Sequence, residues 1–129
     1  MNWWLVWSGP DAGGPEDAGA HAQQNPVVGI WRGSAFALGT AINEEYAFQP
    51  NLSFNQLTTY SMRGAVQRTG TYSVGPGPQR GTGLISLHTL WHSQGLMLDD
   101  GIPFYFKGPN TLMMYQQAPA DWIPYQRCG

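Results

Sequence analysis

The strongest constraint in this chain is a change of polarity every second residue. It begins at Val27 and runs almost to the end, broken only at short Gly, Pro, Asn and Asp clusters. Alternation with period two marks strands with one face buried, and a helix would need apolar residues at three- and four-residue spacing instead. The runs predicted as strands are 27–38, 42–48, 52–62, 66–74, 82–92, 94–98, 102–107 and 111–117. Pro50-Asn51, Arg63-Gly64, Gly75-Pro76-Gly77-Pro78 and Gly108-Pro109-Asn110 separate them as turns. Asp99-Asp100-Gly101 reads as the tip of a hairpin, because Asp-Gly tolerates the positive φ such turns demand. About eight short strands with brief connections predict an all-β domain, a barrel or a sandwich, of which a single antiparallel up-and-down barrel is the one expected. Eight is also the strand count at which a closed barrel is just wide enough for one small ligand.

Residues 1–26 do not share this pattern. Gly9, Pro10, Gly13, Gly14, Pro15, Gly19 and Pro26 interrupt them, so they read as an irregular N-terminal arm ahead of a barrel domain at 27–129. Trp3, Trp4 and Trp7 at the start of the arm are costly to leave in water. They are expected to dock on the barrel or on a second copy, and a homodimer through the arm follows from the latter. Ala20-His21-Ala22 has the small-x-small look of an export cleavage site, but no complete signal peptide precedes it.

Composition narrows the function classes. Charged residues are only 11% of the 129, and the net charge is −2. The six basic residues are scattered singly, without the concentrated footprint that nucleic-acid binding requires. There is no apolar run of the length a membrane-spanning helix needs. Cys128 is the only cysteine, which excludes an intrachain disulfide and a cysteine metal site. Nothing implies a cofactor.

Three short motifs carry a resemblance. Gly29-Ile30-Trp31 opens the first strand, Thr69-Gly70-Thr71-Tyr72 lies at mid-chain, and Phe106-Lys107-Gly108-Pro109-Asn110-Thr111-Leu112 spans a late hairpin. In order and spacing they resemble the small bacterial lipocalin-like domains of the calycin group, over roughly residues 27–117. The resemblance implies a cup-shaped barrel whose floor is closed by Trp31, with an arginine from the chain end, Arg127, stacked across it. The paired cysteines of the family are absent, and avidin-like barrels share the first two motifs. Folds of this kind host carriers, inhibitors and a few enzymes, so the motifs speak to fold more than to function.

The candidate site residues come from the inward faces of the expected strands. Tyr46, Phe54, Tyr60, Arg68, Tyr72 and Trp91 are expected to line a cup for a small apolar or aromatic ligand. Glu44 shares a face with Ile42, Tyr46 and Phe48. In an apolar lumen it needs a partner, for which Arg68 is available. The same carboxylate with His88 and Tyr72 would give a small barrel enzyme working by acid–base chemistry. An interaction protein using the Trp-rich arm is the third reading. His88 and His92 are candidate metal ligands, but four residues along one strand separate them by about 13 Å. Two ordinary imidazoles is the plainer account. Asp99 and Asp100 are read as turn residues, and Met97, Met113 and Met114 with Phe104, Tyr105 and Phe106 as core filler or a pliable wall.

Overall fold

The structure is a computed structural model, and it describes residues 25–128 except 38, 63, 118 and 119. The N-terminal tryptophans, the 20–22 tripeptide and almost all of the expected arm lie outside the described residues. Eight strands follow in chain order: β1 (Gly29–Ala37), β2 (Thr40–Phe48), β3 (Ser53–Tyr60), β4 (Gly64–Pro76), β5 (Gly83–His92), β6 (Asp99–Phe106), β7 (Thr111–Gln116) and β8 (Asp121–Cys128). Each pairs antiparallel with its sequence neighbours, and β1 also pairs with β8, so the sheet is a closed barrel. The expected all-β up-and-down barrel is therefore the observed one.

The alternation selects the inner face. Trp31, Tyr46, Phe48, Phe54, Tyr72, Ile85, Leu87, Ile102, Phe104, Leu112, Met114, Ile123 and Tyr125 point inward and are all buried. The two ends differ. At the end where β1 begins and β8 finishes, the Trp31 indole N–H donates to the Val27 carbonyl at 2.9 Å. The Arg127 guanidinium lies 4.2 Å from the centre of the Trp31 ring and donates to the Val28 carbonyl at 2.9 Å. Phe106 leans on the same indole, with ring centres 5.9 Å apart. This is the closure the resemblance implied. The opposite end carries the β1–β2, β3–β4, β5–β6 and β7–β8 connections; most of its described inward residues are half-buried, and in that sense it is the open end.

Three departures from the expected layout move residues between faces. First, Arg68 pairs with His92 and Thr69 with Trp91, but Gly70 pairs with Thr89, which leaves Leu90 as an extra residue in β5. This β-bulge reverses the strand's phase. Trp91, expected inside, projects outward and is 49% exposed, while His92 turns to the inner side. Gly70 sits opposite, where a β-carbon would collide with the His88 carbonyl.

Second, residues 94–98 are turn and coil, and Asp99-Asp100-Gly101 is the start of β6, not a hairpin tip. Asp99 pairs with His88, Asp100 with Leu87 and Gly101 with Ser86, so the ladder to β5 takes up their backbone. Asp100 shares the inward face of Leu87.

Third, the eighth strand is the segment 121–128, where the alternation predicts none, its last expected strand being 111–117. Proline disguises it. Proline has no N–H for a ladder, so it belongs at strand ends and interrupted edges. The β1–β8 pairing runs from Ile30↔Cys128 only to Gly33↔Tyr125 and stops where Pro124 comes next. The β6–β7 pairing likewise stops at Phe104↔Met114, next to Pro103.

The tryptophan plug should dominate stability. Trp31→Ala is expected to cost about 3–5 kcal/mol in urea denaturation, as large aromatic truncations in cores do. Arg127→Ala should cost less, about 1–2 kcal/mol, for the lost stacking and carbonyl bonds. Equal stability of wild type and Trp31→Ala would mean that the floor is not closed by this residue.

Candidate ligand-binding site at the open end

The barrel interior is divided along its axis. Its closed half is dry: Tyr46 stacks on Phe48 with centres 5.6 Å apart, and Phe48 meets Tyr72 edge-on at 4.9 Å. Phe54 and Tyr72, both expected on the ligand-binding surface, belong to this packed half and are buried. The Tyr72 hydroxyl is directed away from the open end; it donates to the Gln49 carbonyl at 2.8 Å and accepts from Asn25 at 3.1 Å.

Above this layer the inner face turns polar. Arg68 is nearly dry, with its side chain 10% exposed. Its guanidinium grips the Asp100 carboxylate with both terminal nitrogens, at 3.0 and 3.1 Å, while its Nε donates to the Gln56 side-chain carbonyl. A further bond reaches the Thr89 hydroxyl at 3.2 Å. A two-pronged arginine–carboxylate contact is the geometry that best offsets the desolvation of a buried guanidinium.

Glu44 does not meet Arg68; Gln56 stands between them. The Gln56 amide donates to Glu44 Oε2 at 3.0 Å and to the Tyr46 hydroxyl at 3.0 Å, and the Thr58 hydroxyl donates to the same carboxylate oxygen at 3.2 Å. The other carboxylate oxygen accepts from the Tyr125 hydroxyl, which in turn accepts from Gln116 at 3.0 Å. Tyr125 can enter the lumen because the residue facing it on β1 is Gly33, where a β-carbon would lie 2.7 Å from the ring. Burial pushes the Tyr46 and Tyr125 phenols above the ordinary value of 10.0, and the Glu44 charge pushes them further in the same direction.

Around this cluster Ala35, Ile42, Tyr60, Val66 and His92 form the inner wall at the open end, and all are half-buried. The Asp100 side chain is 46% exposed, so solvent reaches the polar layer from this side. Of the expected ligand-binding set, Tyr46, Tyr60 and Arg68 are gathered here. Trp91 is on the outside, removed by the bulge at Leu90.

The structure does not bring Glu44 and His88 together. His88 is on the outer face, where its Nδ1 lies 2.7 Å from Asp99, and Glu44 is within the lumen. The bulge also puts His88 and His92 on opposite sides of the sheet, so the expected shared face does not exist. Among the described residues no group of three His, Cys, Asp or Glu side chains could hold a metal ion. An open groove on the outer face of β4, β5 and β6 runs past Thr71, Ser73, Ser86, His88 and Asp99 and reaches Asp100, the carboxylate that Arg68 holds from the inner side. The methionines divide likewise: Met114 is core, Met113 is buried on the outer side between its ladder partners Tyr105 and Pro124, and Met97 is exposed.

Sequence reading missed Gln56, Thr89, Asp100, Gln116 and Tyr125. Gln56 was recoverable, since it alternates in phase with Phe54 and Thr58. Tyr125 was hidden by Pro124, and Asp100 by its resemblance to a turn.

The fold and this cluster define a closed, up-and-down, eight-stranded antiparallel barrel with a dry aromatic half and a polar, solvent-reached half. No family model, curated protein or solved structure matches the chain.

Two measurements check these placements. Trp91→Ala should cost less than about 1 kcal/mol, as surface substitutions usually do, against several for an indole in the lumen. The raised phenols should stay neutral in the folded barrel, so their contribution to stability is complete below the unfolded value of 10.0 and declines as pH rises above it. Alkaline titration of the phenolate absorbance of the native protein should accordingly be unchanged by Tyr46→Phe up to about pH 11. A smaller native titration in that variant would place Tyr46 in contact with water.

Proposed function

We propose that this chain is a lipocalin-like binding barrel that takes one small organic ligand at its open end. The observation that carries the reading is a polar cluster lying just above a dry aromatic floor, with Arg68 almost fully buried and Glu44 half-exposed. Apolar side chains of the same volume would fold at least as well in that place, because desolvating charged groups consumes most of what their pairing returns. Such a cluster is understandable if it meets something. Pockets generally combine apolar walls with a few fixed polar groups that orient the ligand. Ala35, Ile42, Tyr60 and Val66 supply the wall here, and Glu44 and Thr58 the polar floor.

The filled closed half narrows the earlier expectation of a deep apolar cup. The ligand is small, sits in the open half only, and presents a polar group downward and an apolar or aromatic body to the wall. The floor closure by Trp31 and Arg127 supports the lipocalin-like character of the barrel.

The test is an amide-resolved NMR titration with a library of small aromatic and aliphatic compounds. Hits should perturb amides near Ala35, Ile42, Glu44, Tyr60 and Val66. Ala35→Trp, which fills the same space, should abolish the response while leaving the β-sheet circular dichroism intact. Perturbations confined to the outer face around Trp91 and His88, or none at all, would refute the reading.

A further inference from the structure

We infer that the ligand of this site is a small organic cation, an amine or amidine with an apolar body; the inference rests on the binding reading above and adds its charge. It follows from an inventory of the charges facing the open end. The Arg68 guanidinium is consumed by Asp100 in a two-pronged contact, so the pair presents no net charge to a ligand. Glu44 is different. All its donors, Gln56, Thr58 and Tyr125, are neutral. Neutral donors stabilise a carboxylate but leave its charge in place, and here that charge lies half-buried beside two phenols in a medium less screening than water. A carboxylate has acceptor capacity beyond three such bonds, so a further donor can be received from the lumen.

The rim adds to this. Asp121 pairs with Gln116 at the last rung of β7 and β8, on the inward-facing register of Ile123 and Tyr125. Among the described residues its carboxylate accepts from the Trp122 backbone N–H, at 2.8 Å, and it is exposed. Asp99 stands on the outer side of the same end, against His88.

Among the described residues the open end therefore carries Glu44, Asp99, Asp100 and Asp121 against the guanidinium of Arg68; Arg63, between β3 and β4 in the chain, lies outside the described residues, and with its charge counted carboxylates still outnumber guanidinium groups. The closed end carries Arg80 in the β4–β5 connection, Lys107 in the β6–β7 connection and Arg127 at the end of β8, with no described carboxylate among them. Charge separated in this way along the barrel axis draws cations toward the mouth and turns anions away. Once inside, a cation meets the Glu44 carboxylate directly, with the Tyr60 ring available on the wall. An anionic ligand would have to compete with Asp100 for Arg68 and lie beside Glu44, and it is excluded on both counts.

The experiment uses three probes that share a phenyl body: phenethylamine, phenethyl alcohol and hydrocinnamate. Each is titrated into the full chain and followed by amide-resolved NMR. Phenethylamine should perturb the Glu44, Thr58 and Tyr60 region and bind about tenfold more tightly than the alcohol, the increment expected of one charge-assisted bond. Hydrocinnamate should leave those amides unshifted. Glu44→Gln should bring the amine down to the affinity of the alcohol. Since that variant alters a folded network, Asp100→Asn is a second check: it frees the Arg68 charge, and should weaken the amine and admit hydrocinnamate. Alcohol or carboxylate binding as tightly as the amine at the open end overturns the cation assignment and leaves the binding site standing. No open-end response to any of the three overturns the site and the assignment together.

Discussion

An eight-stranded barrel has room inside for little more than its own side chains, and every inward residue draws on that one narrow space. How the space is divided decides the rest of this structure. At the closed end the large rings of Trp31, Phe48, Phe54, Tyr72, Phe104 and Phe106 meet at the axis and leave nothing for a ligand. At the other end the inward positions include the short Ala35, Ile42, Thr58 and Val66 together with Tyr60 and His92, and long polar chains reach in from Glu44, Gln56 and Arg68. The barrel is thus aromatic and dry at one end and more polar and less buried at the other. Inward side chains shrink toward the open end along β1 and β6, from Trp31 to Ala35 and from Phe104 to Asp100, while Tyr60 on β3 and His92 on β5 are large residues at that end.

The polar layer fits this division energetically. Arg68 sits where the aromatic half ends, with its guanidinium 5.6 Å from the centre of the Phe54 ring. It faces the dry side with a π-surface and the wet side with Asp100 and Gln56. A guanidinium is weakly hydrated for an ion and tolerates such a boundary better than an ammonium would. One layer higher, Glu44 is less buried and needs less compensation. The order of Phe54, Arg68 and Glu44 along the axis is therefore also an order of increasing access to water, with the charge more costly to bury placed nearest the solvent.

Much of this was legible in the sequence, because period two survives wherever one face is buried. The strands and the inward placement of Glu44, Tyr46, Arg68 and Tyr72 follow from alternation, the eight-strand count pointed to a barrel, and the floor role of Trp31 was what the resemblance of the three short motifs implied. What was not legible has local causes. A bulge adds one residue to β5 without leaving a signature in composition, and everything past Leu90 changes face, which is why Trp91 and His92 exchange sides. Pro103 and Pro124 discourage a strand assignment, yet each lies where the barrel ceases to need its N–H on one side. Asp99-Asp100-Gly101 has turn chemistry, but the long-range contact of Asp100 with Arg68, 32 residues away in the chain, decides its conformation. No local reading contains that information.

The same prolines tie the site to the closure of the barrel. The β1–β8 seam has four residue pairs, fewer than the nine between β1 and β2, and it ends at Gly33↔Tyr125 because Pro124 cannot continue it. At that last rung the backbone ladder gives way to a side chain. Tyr125 reaches across the lumen from β8 and donates its hydroxyl to Glu44 on β2, with Gln116 of β7 bonded to the same hydroxyl. Three strands around the short β1–β8 seam, β2, β7 and β8, are thereby linked through the Tyr125 hydroxyl and the half-buried Glu44 carboxylate. A ligand that engaged Glu44 by displacing Tyr125 would loosen the seam, whereas one that used the remaining acceptor capacity would leave it closed. The second arrangement keeps the barrel intact while occupied, and Gly33 supports it, because its missing side chain leaves the space against β1 that the Tyr125 ring occupies on its way to Glu44. Recognition and closure can then share Glu44 without competing for it.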